Sequence, residues 1–186
     1  MSEINDRNNK IENLIFLIEK ELSFDNRFQT LIDYGPMELN AFSITFWVNF
    51  NGNRGQHSIY VKIPKFIFYD KNIDFSSPIS TTDREMAQNE LASLKILADE
   101  WDNNFGVSFV KYLAYIEEFN AILTEMVYGS LMFKEYRKSD YQKKYKEHVD
   151  DRVMTGLYNF GKSLRSFHNN SSIKSSDIDF SKKFLV

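Results

Sequence analysis

The chain has 186 residues, 42% hydrophobic and 16% aromatic, with a net charge of −3; that profile suits a substantial core, and without a long basic block it argues against nucleic acid as a main partner. The absence of cysteine excludes disulfides, thiolate metal sites and cysteine nucleophiles. The three histidines, His57, His148 and His168, show no metal-ligand spacing, so no metal site is read from them; no apolar run approaches the ~20 residues of a membrane helix, so a cytoplasmic location without membrane contact is expected.

In chain order, residues 8–23 predict an amphipathic helix, with Ile11, Leu14, Ile15, Ile18 and Leu22 at helical spacing. Residues 28–42 are less regular, with a turn signal at Tyr34-Gly35-Pro36. From Ser43 to Phe50, Ile44, Phe46, Val48 and Phe50 alternate with polar residues and Trp47, which is a strand. Asn51-Gly52-Asn53-Arg54-Gly55 turns the chain into a partner strand, His57 to Pro64. Residues 66–82 are Ser- and Pro-broken and predict a loop. Thr82, with Glu85, predicts a capped helix start near Asp83, and the helix extends to about Trp101 with Met86, Ala87, Glu90, Leu91, Leu94, Leu97 and Ala98 on one broad side. Val107–Tyr115 and Ala121–Val127 predict two further strands around a turn at Glu117–Asn120. The mixed-charge stretch 134–151 predicts a solvated helix or connector, and residues 151–168 predict a helix whose core face is Val153, Leu157, Phe160, Leu164 and Phe167. The order implies an α+β protein, an antiparallel sheet packed on one long helix. Its expected segments are an N-terminal helix at 1–26, a sheet-and-helix lobe at 27–132, and a charged connector with the start of a helical lobe at 133–186.

Two charged residues stand out against this pattern. Alternation in Ile59-Tyr60-Val61-Lys62-Ile63 places Lys62 with Tyr60, opposite the aliphatic face. Glu90 falls inside the apolar stripe of the next long helix, with Leu94 and Leu97 within roughly 40° of it. Burying either charge alone costs several kcal/mol, and pairing offsets much of that cost. The two are expected to meet at the sheet–helix interface. A lysine held by a carboxylate is a compact point charge suited to phosphate. The bland alternatives are a snorkelling edge lysine and a helix carboxylate reaching solvent.

These segments resemble the protein-kinase-like fold, in its aminoglycoside and sugar phosphotransferase branch. Ile59-Tyr60-Val61-Lys62-Ile63 is similar to its third strand, and Ala87-Gln88-Asn89-Glu90-Leu91 to the helix whose glutamate pairs with that lysine. Ala121-Ile122-Leu123-Thr124-Glu125-Met126-Val127-Tyr128-Gly129 resembles the fifth strand and the hinge, where Glu125, Met126 and Val127 would meet adenine through the backbone. Leu157 to His168 resembles the helix before the catalytic loop. The chain lacks a GxGxxG motif, as that branch does, and Gly35 is the candidate phosphate-covering turn.

The resemblance implies a nucleotide-binding lobe using ATP with magnesium to phosphorylate a hydroxyl of a sugar or other small molecule. In the tail, Asp179 matches the catalytic aspartate, but Asp177, Ile178 and Phe184 stand where the family has histidine, glycine and the metal-binding asparagine. The strand carrying the metal-binding aspartate and the helical substrate lobe would lie beyond Val186. The 186 residues alone are therefore expected not to catalyse phosphoryl transfer. Partners would be a nucleotide and a separate catalytic lobe or a second copy. Two alternatives remain open: a non-catalytic kinase-like interaction module with an exposed apolar patch, and an unrelated structural domain with Lys62 and Glu90 far apart.

Overall fold

The computed structural model describes residues 2–67, 75, 77–100, 109–127 and 151–170. The described elements are α1 (Ser2–Leu22), β1 (Thr30–Tyr34), β2 (Glu38–Asn40), β3 (Ser43–Gly52), β4 (Gly55–Pro64), α2 (Thr81–Glu100), β5 (Tyr112–Ile116), β6 (Ala121–Glu125) and α3 (Asp151–Asn170). The protein is α+β, with a six-stranded antiparallel sheet. Strand order is β1-β3-β4-β6-β5, and β2 also pairs with β3.

β3 and β4 form the predicted hairpin, in register from Ser43–Pro64 to Gly52–Gly55 across a two-residue connection. Gly55 sits at φ 105, where a side chain would be strained. Gly52 answers a different demand, because a Cβ there would lie 2.4 Å from the backbone oxygen of Arg27. The irregular segment 28–42 contains two short strands that the sequence pattern did not announce. β1 and β2 lie along different stretches of β3 and are mostly exposed, so neither carries a clean alternation.

The chain divides into two compact units, Met1–Lys95 with Val110–Val127, and Ile96–Phe109 with Tyr128–Val186. In the first, two apolar clusters lie on opposite faces of the sheet. The larger brings Leu14, Ile15, Ile18 and Leu22 of α1 against Ile44, Phe46, Val48 and Phe50 of β3 and Ile59, Val61 and Ile63 of β4. The smaller brings Ala87, Leu91 and Leu94 of α2 against Ile122 of β6, with Tyr112 and Tyr115 of β5 packed alongside. The first unit thus has a helix on each face, where a single packed helix was expected. The helix expected as a segment of its own at 1–26 supplies one wall of the main core.

α2 begins at Thr81, earlier than expected, and its cap is Ser80 rather than Thr82. The Asp83 amide donates to Ser80 Oγ (3.1 Å), and the Ser80 amide donates to Asp83 Oδ2 (2.8 Å). This is a capping box closed by an aspartate.

In the second unit, α3 spans the predicted helix, but its expected core face is only partly covered. Leu157, Phe160 and Leu164 are 41%, 45% and 37% exposed, while Ser163 is fully buried. At these three positions the apolar spacing that announced the helix does not mark a buried face. The stretch expected as a charged connector at 134–150, and the tail from 171 on, lie outside the described residues.

Candidate functional site

β4 is central in the sheet, flanked by β3 and β6. Its period of two sends Ile59, Val61 and Ile63 into the α1 core and turns Tyr60 and Lys62 to the other face. Lys62 is in register with Ile122 of β6, the strand residue on which α2 packs. Ala87 and Leu94 lie three residues before and four after Glu90, so seating them on Ile122 brings Glu90 over β4. Lys62 Nζ donates to Glu90 Oε1 at 2.8 Å, with Oε2 also at 2.8 Å. The two odd charges of the sequence therefore meet across the sheet–helix interface.

The pair is less buried than its place in the pattern suggested. Its side chains retain 34% and 31% of their exposure. At that exposure the ion pair is worth at most ~1 kcal/mol to stability. Its physical effect is positional: a flexible four-carbon stem ends in an ammonium held at one point on an accessible face. On that face Tyr60, 38% exposed, lies two residues along the strand, in register with Trp47 and Thr124.

The N-terminus of α2, two turns before Glu90, is fixed by a buried polar network. Asn120 is fully buried at φ 54, the left-handed region that Asn tolerates better than most residues. Its Nδ2 donates to the carbonyls of Asp83 (2.9 Å) and Pro64 (3.2 Å), and its Oδ1 accepts from Tyr115 Oη (2.7 Å). Burial pushes the Tyr115 phenol upward. Asp83 Oδ1 in turn accepts the Phe66 amide at 2.8 Å. Asn120 thus ties together the end of β4, the start of α2 and the β5–β6 connection. None of these residues is marked as a site residue by the sequence pattern. The Ser80-x-x-Asp83 spacing was the available signal for the cap, whereas nothing local marks Asn120.

The expected hinge shows a division of labour. The Glu125 amide donates to Lys111 O (2.9 Å) and the Met126 amide to Ser58 O (3.1 Å), so both are spent on extending the sheet. The Glu125 carboxylate pairs with Arg27 and lies 3.7 Å from Lys111. Arg27 also grips Asp25 through Nε and Nη2, and its guanidinium lies 5.0 Å from the Phe28 ring centroid. The side-chain hydrogen bond from Arg27 holds the Asp25 carboxyl down at about 2. Glu125 is thereby a structural anchor joining β6 to the α1–β1 connection. Val127, 68% exposed, is the outermost of the three expected hinge residues.

Gly35 has a packing reason. It is buried, its amide donates to Trp47 O at 2.9 Å, and a Cβ there would lie 2.3 Å from the Trp47 indole. The indole occupies the space that a side chain on Gly35 would need. Asp179 lies outside the described residues. Among the described residues no group of three or more His, Cys, Asp or Glu is placed to hold a metal ion, and no helix is long and apolar enough to cross a membrane. Comparison with protein-family models, with curated proteins and with solved structures gives no match.

Proposed function

We propose that the first compact unit is the nucleotide-binding portion of a kinase-like phosphotransferase acting on a sugar or other small molecule, not catalytic by itself. The observation that carries this reading is the 2.8 Å pair between Lys62, on the third strand along β1-β3-β4-β6-β5, and Glu90, on the helix that follows it in the chain. In kinase-like enzymes a strand lysine held by a helix glutamate contacts the nucleotide phosphates. The neighbouring strand β6 leads directly into Met126 and Val127, so phosphate and base contacts would lie on adjacent strands. Lys62 and Glu90 would hold ATP at its phosphates, and Val127 would contact the base through its backbone. In this reading Gly35 lets the Trp47 indole pack against the backbone, and Glu125 fixes the strand end through Arg27.

Magnesium would arrive with the nucleotide, bound chiefly by phosphate oxygens. The described residues offer it no carboxylate cluster, so no step is assigned to it. Thermal melts with and without Mg-ATP test the reading. A stabilising shift in the parent that disappears in Lys62→Ala is the expected result; equal melting of the parent with and without Mg-ATP overturns it.

A second reading, a non-catalytic interaction module, is favoured by α3. Leu157, Tyr158, Phe160 and Leu164 are all exposed on that helix, an apolar surface of the kind that partners cover. Hydrophobic-dye binding together with concentration-dependent sedimentation, and no nucleotide shift, would select this reading over the first.

A further inference from the structure

At their exposure Lys62 and Glu90 are worth at most ~1 kcal/mol to each other, so their contact does not by itself hold α2 on the sheet. Other contacts set where Glu90 arrives. One is apolar: Ala87, Leu91 and Leu94 cluster with Ile122 of β6, the residue in register with Lys62. Apolar burial is non-directional, so this seat opposes separation of helix and sheet more than sliding along it. A slide by one residue moves a helix ~1.5 Å, more than the ~0.5 Å span over which N–H···O distances fall. The 2.8 Å contact of the pair therefore needs a directional stop.

Asn120, two residues before Ile122, supplies that stop. It is fully buried, and its Nδ2 donates to the carbonyl of Asp83 in the first turn of α2 and to that of Pro64, two residues after Lys62. Tyr115 Oη donates to Asn120 Oδ1, which orients the amide so that its two N–H groups face those carbonyls. The Asp83 side chain adds a second tie by accepting the Phe66 amide just past β4. The start of β6 thus carries both a polar pin and an apolar seat for the same helix. We infer that Asn120 is a positioning residue for the Lys62–Glu90 pair: by pinning the start of α2 to the end of β4, it fixes the register at which Glu90 meets Lys62. This deepens the nucleotide reading and rests on it. Affinity for the phosphates then depends on an amide whose hydrogen bonds go to neither side chain of the pair, because a cation already held in place binds without first being ordered.

The test compares two variants of the full chain. Asn120→Gly suits φ 54 but removes all three hydrogen bonds, and Ile18→Ala weakens the core on the opposite face of the sheet. The first readout needs no ligand: the nitrogen NMR signal of the Lys62 ammonium, assigned by its loss in Lys62→Ala. In Asn120→Gly it should move to the position it has in Glu90→Gln, and in Ile18→Ala it should stay at the parent position. The second readout is Mg-ATP affinity by calorimetry. Asn120→Gly should weaken it about fivefold, and Ile18→Ala should leave it unchanged. Asn120→Gly in a Glu90→Gln background should add nothing, because both act through one contact. If Asn120→Gly does not fold, Tyr115→Phe takes its place. That variant keeps the ring, removes the hydroxyl that orients the Asn120 amide, and should move the ammonium signal in the same direction by a smaller amount. A Lys62 signal unmoved in the network variant, a signal moved equally in Ile18→Ala, or an additive loss of affinity in the double variant would each overturn the inference. A parent that does not bind Mg-ATP overturns the nucleotide reading instead, and the ammonium signal then decides the positioning role by itself.

Discussion

Lys62 and Glu90 each keep about a third of their side-chain surface in water, so their contact orients more than it stabilises. Glu90→Gln and Lys62→Ala should each change the unfolding free energy, measured by urea titration, by less than ~1 kcal/mol. A loss of several kcal/mol in either would mean that the pair supports the core instead. Asp25 carries a clearer pH signature. Its carboxyl is held at about 2 against an ordinary 3.8, with the Arg27 hydrogen bond as the largest cause. Between these values the unfolded chain binds more protons than the folded one, so this contribution is complete above about pH 4 and fades as pH falls toward 2. Asp25 is over a third exposed, so the contribution is modest. Asp25→Asn should flatten that limb of the acid stability curve, which acid titrations of the two proteins side by side would reveal.

At the scale of elements, the start of α2 is determined by polar groups rather than by its apolar stripe. Ser80→Ala removes the acceptor of the Asp83 amide and should cost about 1 kcal/mol. Asn120→Ala should cost more, about 2–4 kcal/mol, because it removes three hydrogen bonds at a fully buried site, to the carbonyls of Pro64 and Asp83 and from the Tyr115 hydroxyl, while leaving a side chain at φ 54. Asn120→Gly relieves the backbone but restores none of those bonds, so it should recover only part of the loss. Chemical denaturation of the three variants would rank them, and a near-neutral Asn120→Ala would mean that water replaces the network. The helix itself is legible from its period, but it starts two residues before the expected Asp83. Thr82 and Glu85 offered the commoner spacing pattern, whereas Ser80 and Asp83 are the pair that the end of β4 brings into reach through Phe66. The short edge strands β1 and β2 were illegible because exposed edges need no alternation.

For the molecule as a whole, α1 decides whether the first unit folds. Leu14 and Ile18 are fully buried against β3 and β4. Ile18→Ala should cost about 2–5 kcal/mol, and deleting residues 1–26 should leave the sheet without one side of its main core. Circular dichroism of that shortened chain is expected to show lost cooperative melting; a cooperative transition like the parent's would show that the sheet needs only α2. Its amphipathic spacing announced that α1 buries one face, but spacing along a helix does not say what the face is buried against.

Local pattern was enough to determine the α+β class, the β3–β4 hairpin, the helices α1, α2 and α3 and the anomaly of Lys62 and Glu90, because periods of 2 and 3.6 are written residue by residue. Only tertiary structure decided that α1 and α2 cover opposite faces, that the indole of Trp47 fills the space above Gly35, that Glu125 turns to Arg27, and that Asn120 binds three elements together. Each of those depends on contacts between residues far apart in the chain, whose partners are chosen by packing and by the need to satisfy buried polar groups. A short window of sequence carries no record of that choice.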